Sequence, residues 1–168
     1  AAKTVGYLVE TWVEDEAFRA KADHVYVQAG RSGRQRVAII PDAYCVVNQG
    51  DKRAHFFVEV DRATLSGRRW RQRVRAYLAY TLGGGYTRRF RTRSLRILTV
   101  TTSDKRLTNL RRATEEAGGG SLFWFSTCDR LESADALQSP IWQVAGQSAM
   151  TALEERRRSE PPARRVTL

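Results

Sequence analysis

The chain has few of the residues that form disulfides and zinc sites, and no long apolar run. It contains two cysteines, Cys45 and Cys128, and two histidines, His24 and His55, in 168 residues. None of the four has a His or Cys partner at the spacing of zinc ligands, so we expect no zinc site and two reduced core thiols. Because no apolar run is long enough to span a bilayer and no signal peptide is recognisable, we expect a cytoplasmic protein without a membrane partner.

Several common motifs are also missing. The sequence has no Walker loop, no Gly-x-Gly-x-x-Gly, no Ser/His/Asp set and no internal repeat. These absences argue against the usual nucleotide-binding folds, the serine hydrolases and the solenoid proteins.

Lysine is scarce, but positive charge is not. Lys3, Lys21, Lys52 and Lys105 are the only lysines, yet the net charge is +11 and the pI is about 10.5, because arginine is abundant. A GC-rich genome would explain arginine in place of lysine, but it would not explain the excess of bases over acids. A basic surface releases condensed counterions when it meets a phosphate backbone, so nucleic acid is the first partner to consider.

The length predicts one domain and a short tail. A chain of 168 residues and 19.1 kDa can bury a substantial core. We expect the domain to cover residues 1–150 and a flexible basic tail to cover residues 151–168, where arginines and prolines alternate with polar residues. The chain begins at Ala1 rather than at Met, so we expect a processed chain or a fragment of a longer protein.

The acids with most chemical interest lie in two apolar runs near the centre of the chain. In the run from Phe56 to Asp61, strand alternation sends Glu59 and Asp61 to the same face. Asp42 follows Pro41, which a regular ladder excludes, so a bulge or a sheet edge is expected to present it. The polar residues 48–53 between the runs predict an antiparallel hairpin.

Two readings of these acids are open. If the hairpin register brings Asp42 opposite Glu59 and Asp61, three carboxylates converge, and such oxygen clusters suit Mg²⁺ or Mn²⁺. The alternative is that the acids pair with arginines, which on pattern alone is the commoner role of acids on a half-exposed strand.

Periodicity and capping residues predict the other elements. In chain order these are one or two helices over residues 2–22, a strand over 24–29, a helix from Thr64 or Ser66 to about Leu82, a strand over 95–101, a helix that begins at Ser103 or Asp104, a strand over 122–128 and a short strand over 140–144. The strand–helix–strand order after residue 95 predicts a parallel pairing.

Arginines form two groups that predict a DNA-binding surface. In the predicted helix after Asp61, Trp70, Val74 and Tyr77 form an apolar stripe that should be buried against the sheet. One group lies on the far side of this helix: Arg68, Arg71 and Arg75. The second group has Tyr86 and Phe90 as aromatic neighbours: Arg88, Arg89, Arg91 and Arg93. Together they are the predicted phosphate-binding set.

The order and the amino-acid sequences of these segments resemble a known group of proteins. The run from Pro41 to Ala43, the run from Phe56 to Thr64, a helix ending near Tyr77 and the run from Arg96 to Thr101 resemble the replication-relaxation family of plasmid and mobile-element proteins, within the PD-(D/E)xK nuclease superfamily. The resemblance covers roughly residues 5–145. It implies an α/β restriction-endonuclease-like core, with a mixed central β-sheet flanked by helices. It also implies a winged-helix domain ahead of this one and partners in replication or transfer.

The resemblance assigns roles to particular positions. It implies that Asp42 and Glu59 bind a metal, with Mg²⁺ or Mn²⁺ as the cofactor. The superfamily's lysine would fall on Asp61, and the alternative place for that lysine, on the following helix, is Arg73. Arginine stays protonated and cannot act as a base, but it can stabilise charge in a transition state. Glu14 or Glu16 could add a further acid.

Two functions follow, and a third is a weaker alternative. The first is a DNA-binding, nuclease-like domain that acts in plasmid or mobile-element replication or transfer and has degenerated in catalysis. The second is an active Mg²⁺-dependent DNA endonuclease whose catalytic set is Asp42, Glu59, Asp61 and Arg73. The third is an RNA-binding module, because a basic surface does not by itself choose between the two polymers.

Overall fold

Nine strands and five helices follow one another in the computed structural model, which describes residues 7–30, 33–49 and 51–154. They are β1 (Tyr7–Glu14), α1 (Asp15–Ala20), β2 (Asp23–Ala29), β3 (Gly33–Ile39), β4 (Ala43–Gln49), β5 (Lys52–Asp61), α2 (Gly67–Leu82), α3 (Gly85–Phe90), β6 (Arg96–Thr101), α4 (Asp104–Glu116), β7 (Phe123–Thr127), α5 (Cys128–Ser133), β8 (Trp142–Val144) and β9 (Met150–Thr151).

A seven-stranded mixed sheet is the centre of the fold, in the order β1-β4-β5-β6-β7-β8-β9. The predicted hairpin is confirmed: β4 and β5 pair antiparallel, with Ala43 opposite Val58. The strands β6 and β7 are parallel, as the strand–helix–strand pattern after residue 95 predicts, and β5 also pairs parallel with β6. The fold is therefore a mixed α/β sheet flanked by helices.

Capping side chains define where the two long helices begin. The Ser66 hydroxyl accepts a hydrogen bond from Arg69 N at 3.3 Å at the start of α2, and Ser103 caps α4 through Arg106 N at the same distance. These bonds satisfy backbone donors that the first turn of a helix leaves free. Both helices begin where the sequence predicts.

The long helices α2 and α4 cover one face of the sheet. The predicted apolar stripe of α2 is confirmed, because Trp70, Val74 and Tyr77 are all buried and pack in one cluster with Phe57 of β5. The Trp70 indole donates a hydrogen bond to Thr114 Oγ1 at 2.8 Å, which joins α2 to α4.

The other face of the sheet is covered by the last part of the described chain. Phe56, Leu98 and Trp142 form a second buried cluster there, together with Leu153. Leu153 belongs to this cluster, so the described fold continues past residue 150. The predicted basic tail falls mainly on residues 155–168, which lie outside the described residues.

A two-stranded antiparallel ribbon, β2–β3, lies across α2. Its inner side chains include Val27 and Ile39, which are buried in the main cluster. A side-chain hydrogen bond between Gln35 and Gln72 also joins the ribbon to α2. The predicted strand over residues 24–29 is thereby confirmed as β2.

The predicted helix over residues 2–22 is wrong for most of its described length. Residues 7–14 form the edge strand β1, which pairs with β4, and only Asp15–Ala20 are helical. The helical spacing of Leu8, Val9 and Trp12 does not mark a buried stripe, because all three are more than half exposed. Strand pairing with β4 outweighs helical spacing in a run that is also rich in β-branched and aromatic residues.

Two simpler expectations concern cysteines and membrane spans. Cys45 and Cys128 are both free thiols; Cys45 is buried, and burial raises the pKa of its thiol to about 11. No helix within the described residues has both the length and the apolar character needed to cross a membrane.

The Trp70–Thr114 hydrogen bond gives a test of how α2 and α4 are joined. Trp70→Phe should lower the free energy of unfolding by about 1–3 kcal/mol, since it removes a buried donor and leaves a small void. Urea denaturation measures this change. Arg68→Ala, an exposed change in the same helix, should stay within about 0.5 kcal/mol. Equal effects of the two variants would contradict the packing described here.

Candidate functional site

A polar cleft of about 650 Å³ opens where β5 ends and β4 begins. Its walls come from α1, from the β5–α2 connection and from the first half of α2. The charged residues that line it are Asp15, Arg19, Asp42, Glu59, Asp61, Arg62 and Arg73. The four residues predicted to form a catalytic set therefore reach one cleft, although they make different contacts within it.

Asp42 lies in the short connection between β3 and β4 and is exposed. Its backbone N donates to Val58 O at 3.0 Å, and its Oδ2 accepts from Val60 N at 2.7 Å. Since Ala43 pairs with Val58, this register sets Asp42 beside Glu59 on the neighbouring strand. The side chain thus supplies an acceptor for the β5 backbone just before β4 begins.

Glu59 is buried, with 1% of its surface exposed. Its Oε2 accepts a hydrogen bond from Arg73 Nη1, and its Oε1 accepts one from the Tyr77 hydroxyl. The pKa of the carboxyl is raised from 4.5 to about 7, mainly by burial and also by the charge of Asp42. Arg73 and Tyr77 act in the opposite direction and do not outweigh the burial. Glu59 is therefore tied to α2 through both oxygens.

Asp61 is tied to α4 instead. Arg106 holds it with two hydrogen bonds, Nε to Oδ2 at 2.8 Å and Nη2 to Oδ1 at 2.9 Å, and Thr101 Oγ1 donates to Oδ2 at 2.7 Å. Burial raises the pKa of Asp61, but the hydrogen bonds and charge of Arg106 outweigh it, so the pKa lies below its ordinary value. Asp61 therefore pairs with an arginine, as the second reading of the acids has it, but this arginine comes from α4, while Arg73 of α2 is bound to Glu59.

Arg106 is a site residue that the sequence reasoning missed. The topology explains how Arg106 reaches Asp61. The strands β5 and β6 are parallel, so both end at the same edge of the sheet. Arg106 lies in the first turn of the helix after β6. A cation there can reach an acid at the end of β5. Two further cations of the cleft, Arg19 of α1 and Arg62, were also missed.

The acids do not form one metal cluster. Among the residues that the structure describes, no three or more His, Cys, Asp or Glu side chains lie together so that they could hold an ion. Of the two readings of the acids, the convergence of three carboxylates is therefore wrong, since Asp61 binds Arg106, and the pairing of acids with arginines is the one found. The pair Asp42 and Glu59 does not fit a divalent ion as arranged, because Arg73 and Tyr77 engage both oxygens of Glu59.

The predicted DNA-binding arginines of α2 and α3 lie in several places. Arg68 and Arg75 are exposed, while Arg71 pairs with Glu116 of α4 at 3.2 Å. Arg88, Arg91 and Arg93 line a separate cleft near α3. This cleft adjoins the beginning of β6, whereas Asp61 pairs with its last residue, so the arginines and the acids lie at opposite ends of that strand.

Arg89 and the aromatic residues of α3 differ from the rest. Arg89 is half-buried, donates to Lys21 O at 3.0 Å and to Asp23 Oδ2 at 3.2 Å, and covers the Phe18 ring. Tyr86 is buried and Phe90 packs against the main cluster, so these rings belong to the core and do not serve the arginine surface. The proposed extra acids, Glu14 and Glu16, are both exposed.

These observations define the protein as a basic, mixed α/β domain whose cleft contains two arginine-bound acids. Residues 2–95 match the Replication-relaxation family. The match covers more than half of the chain, which therefore belongs to this family, and membership suggests a role in the replication of plasmids or mobile elements. No curated protein and no solved structure matches the chain.

The two buried acids should affect stability with opposite pH dependence. For Asp61, whose pKa is depressed, the stabilisation is present above the pKa of unfolded Asp and is lost as the pH falls through the folded value. Asp61→Asn should therefore cost about 1–3 kcal/mol at pH 7 in urea denaturation. Glu116→Gln, which removes an exposed ion pair with Arg71, is the matched control and should cost under about 1 kcal/mol. A loss no larger than that of the control would contradict the Asp61–Arg106 assignment.

For Glu59, whose pKa is raised to about 7, stability should fall as the pH rises from 4.5 to 7, because the folded state holds its proton more tightly than the unfolded chain. Glu59→Gln removes this dependence. Urea denaturation at pH values from 4.5 to 8 measures the free energy of unfolding of both proteins. As the pH rises, the variant should gain up to about 3 kcal/mol in this free energy relative to the parent. Parallel profiles would show that the Glu59 carboxyl titrates normally.

Proposed function

We propose that this chain is a DNA-binding, nuclease-like domain that acts in the replication or transfer of a plasmid or mobile element and does not cleave DNA in the arrangement described. The observation that carries the proposal is the neutralisation of both buried acids by arginines. Glu59 binds Arg73 and Asp61 binds Arg106 in a cleft that also contains Arg19 and Arg62. The four acids that line the cleft are matched by Arg19, Arg62, Arg73 and Arg106, so the arginines can contact phosphates there without a catalytic ion.

The order of elements supports a PD-(D/E)xK ancestry. The hairpin β4–β5 brings Asp42 and Glu59 together, α2 follows, and β6 then pairs parallel to β5. This is the order that the resemblance implies for a restriction-endonuclease-like core. The chain departs from the pattern at Asp61, which stands where the superfamily has a lysine.

The cations of the cleft support binding of a phosphate backbone. Arg73 donates one N–H to Glu59 while its side chain remains 39% exposed. Because a guanidinium carries five N–H donors, Arg73 can hold Glu59 and a DNA phosphate at once. Arg62 is exposed and lines the same cleft, as does Arg19, which forms an ion pair with Asp15 at 2.9 Å. Arg68 and Arg75 of α2 are exposed outside the cleft.

A metal-dependent endonuclease is the second candidate, favoured by one observation. Asp42 and Glu59 lie beside each other on neighbouring strands and line the same cleft. Mg²⁺ or Mn²⁺ would need these two carboxylates, and Arg73 would first have to release Glu59. Titration of the protein with Mn²⁺, together with an assay on supercoiled plasmid, separates the two functions. Millimolar binding with cleavage that depends on Asp42, Glu59 and Asp61 would overturn the first proposal.

The partners follow from the same proposal. DNA is the primary ligand, and a winged-helix domain in the full-length protein, or other replication or transfer proteins, would supply further contacts. RNA binding is the alternative for the basic surface. A duplex RNA of the same sequence, measured beside the DNA, decides between the two polymers.

Binding to duplex DNA should weaken steeply with salt, because the arginines act through phosphates. Replacing both Arg19 and Arg62 by alanine should lower the slope of log affinity against log salt by about 2, which corresponds to two lost phosphate contacts. Fluorescence anisotropy with a labelled 30-base-pair duplex measures the slope.

The control is Lys105→Ala with Arg112→Ala, which removes the same charge from exposed positions seven residues apart on α4. This control pair should leave the slope nearly unchanged. Equal slopes in all three proteins, or binding that does not respond to salt, would contradict the assignment of the cleft as a phosphate site.

A further inference from the structure

The β2–β3 ribbon has an outer face that the core does not use. Its inner residues, among them Val27 and Ile39, are buried against α2. Since strand neighbours alternate between faces, the residues between them point outward. Three cross-strand pairs form this outer face: His24 with Ala38, Tyr26 with Arg36, and Gln28 with Arg34.

The chemistry of this face is positive and suited to hydrogen bonding. Arg34 and Arg36 are exposed, and Tyr26 is 64% exposed. The one acidic residue of the two strands, Asp23, is directed inward, where it accepts hydrogen bonds from Tyr80 and Arg89. No carboxylate of these strands therefore opposes an anion on the outer face.

We propose that the outer face of the β2–β3 ribbon enters the major groove of duplex DNA and reads base edges. The inference rests on the proposed DNA binding and adds the element that selects sequence. The major groove, about 12 Å wide, admits a two-stranded ribbon. Seven residues of strand span about 23 Å, which is the rise of about seven base pairs.

The side chains of the outer face match this use. Arginine forms paired hydrogen bonds with guanine, and glutamine does so with adenine, so Arg34, Arg36 and Gln28 are all base-reading types. In the protein alone, Gln28 Nε2 donates a weak hydrogen bond to Gly30 O at 3.3 Å, which a base can replace. Because the inner face is fixed to α2, the ribbon meets the groove as a rigid element and loses little entropy.

The ribbon also leads directly to the acid cleft. After β3, the chain passes through Pro41 to Asp42, and a pocket lined by residues 37–39 of the ribbon is also lined by Asp42 and Arg73. DNA held on the ribbon would therefore extend toward the cleft. In this arrangement the ribbon selects the sequence, and the cleft arginines hold the backbone next to it.

The test compares the full chain with two variants in binding to a 30-base-pair duplex that carries the motif the full chain selects from a random library. Arg34→Ala with Arg36→Ala should lower affinity at least about tenfold, because two arginine contacts to bases are lost and each contributes about fivefold or more. Tyr26→Ala should weaken binding as well. The Lys105→Ala with Arg112→Ala control should bind like the parent. All replaced side chains are exposed, and circular dichroism verifies that each variant is folded.

Selection from a random duplex library separates base reading from simple charge. The parent and the control should enrich one common sequence motif, and the Arg34/Arg36 variant should lose that motif even at low salt. If the variant enriches the same motif with unchanged affinity, the ribbon assignment is wrong while the proposed DNA binding stands. If the variants weaken binding to single strands but not to duplex, the groove assignment is wrong. If the parent binds no DNA of either kind, the proposed function itself fails.

Discussion

The structure depends on the burial of two carboxylates at the end of β5, each of which is held by an arginine from a different helix. A buried carboxylate without a partner would cost several kilocalories per mole, so Arg73 and Arg106 determine where α2 and α4 can lie. Glu59 binds α2 through Arg73 and Tyr77, and Asp61 binds α4 through Arg106. The two pairs differ electrostatically: burial dominates at Glu59, whereas hydrogen bonds and charge dominate at Asp61.

The two acid–arginine pairs also differ in whether the family match includes both partners. The family match ends at residue 95, so it includes Glu59, Arg73 and the β2–β3 ribbon but not Arg106. The part within the match contains the cleft walls and the ribbon, both of which we connect with DNA. The part beyond it, from β6 onward, extends the sheet and supplies the arginine that neutralises Asp61.

The sequence predicted the central hairpin, both long helices and the parallel strands, because local signals specify each of them. Ser66 and Ser103 cap helices, and strand alternation places Glu59 and Asp61 on one face. It failed at β1, where Leu8 and Trp12 have helical spacing but pairing with β4 decides the structure. It also failed at the partner of Asp61, since sequence spacing does not show that Arg106, 45 residues away, shares its sheet edge. Tyr86 and Phe90 were placed beside the arginine surface because a sequence does not show which face of a short helix is buried.

Asp42 has a consequence for mutational genetics. Its carboxylate accepts a hydrogen bond from Val60 N and so takes the place of a backbone carbonyl at the point where β4 begins. An alanine at this position would remove a structural acceptor together with any chemical function. A defect in plasmid replication caused by this allele would therefore not distinguish a weakened strand end from a lost chemical role. Asparagine retains an oxygen acceptor and removes only the charge, so the difference between the two alleles separates architecture from chemistry.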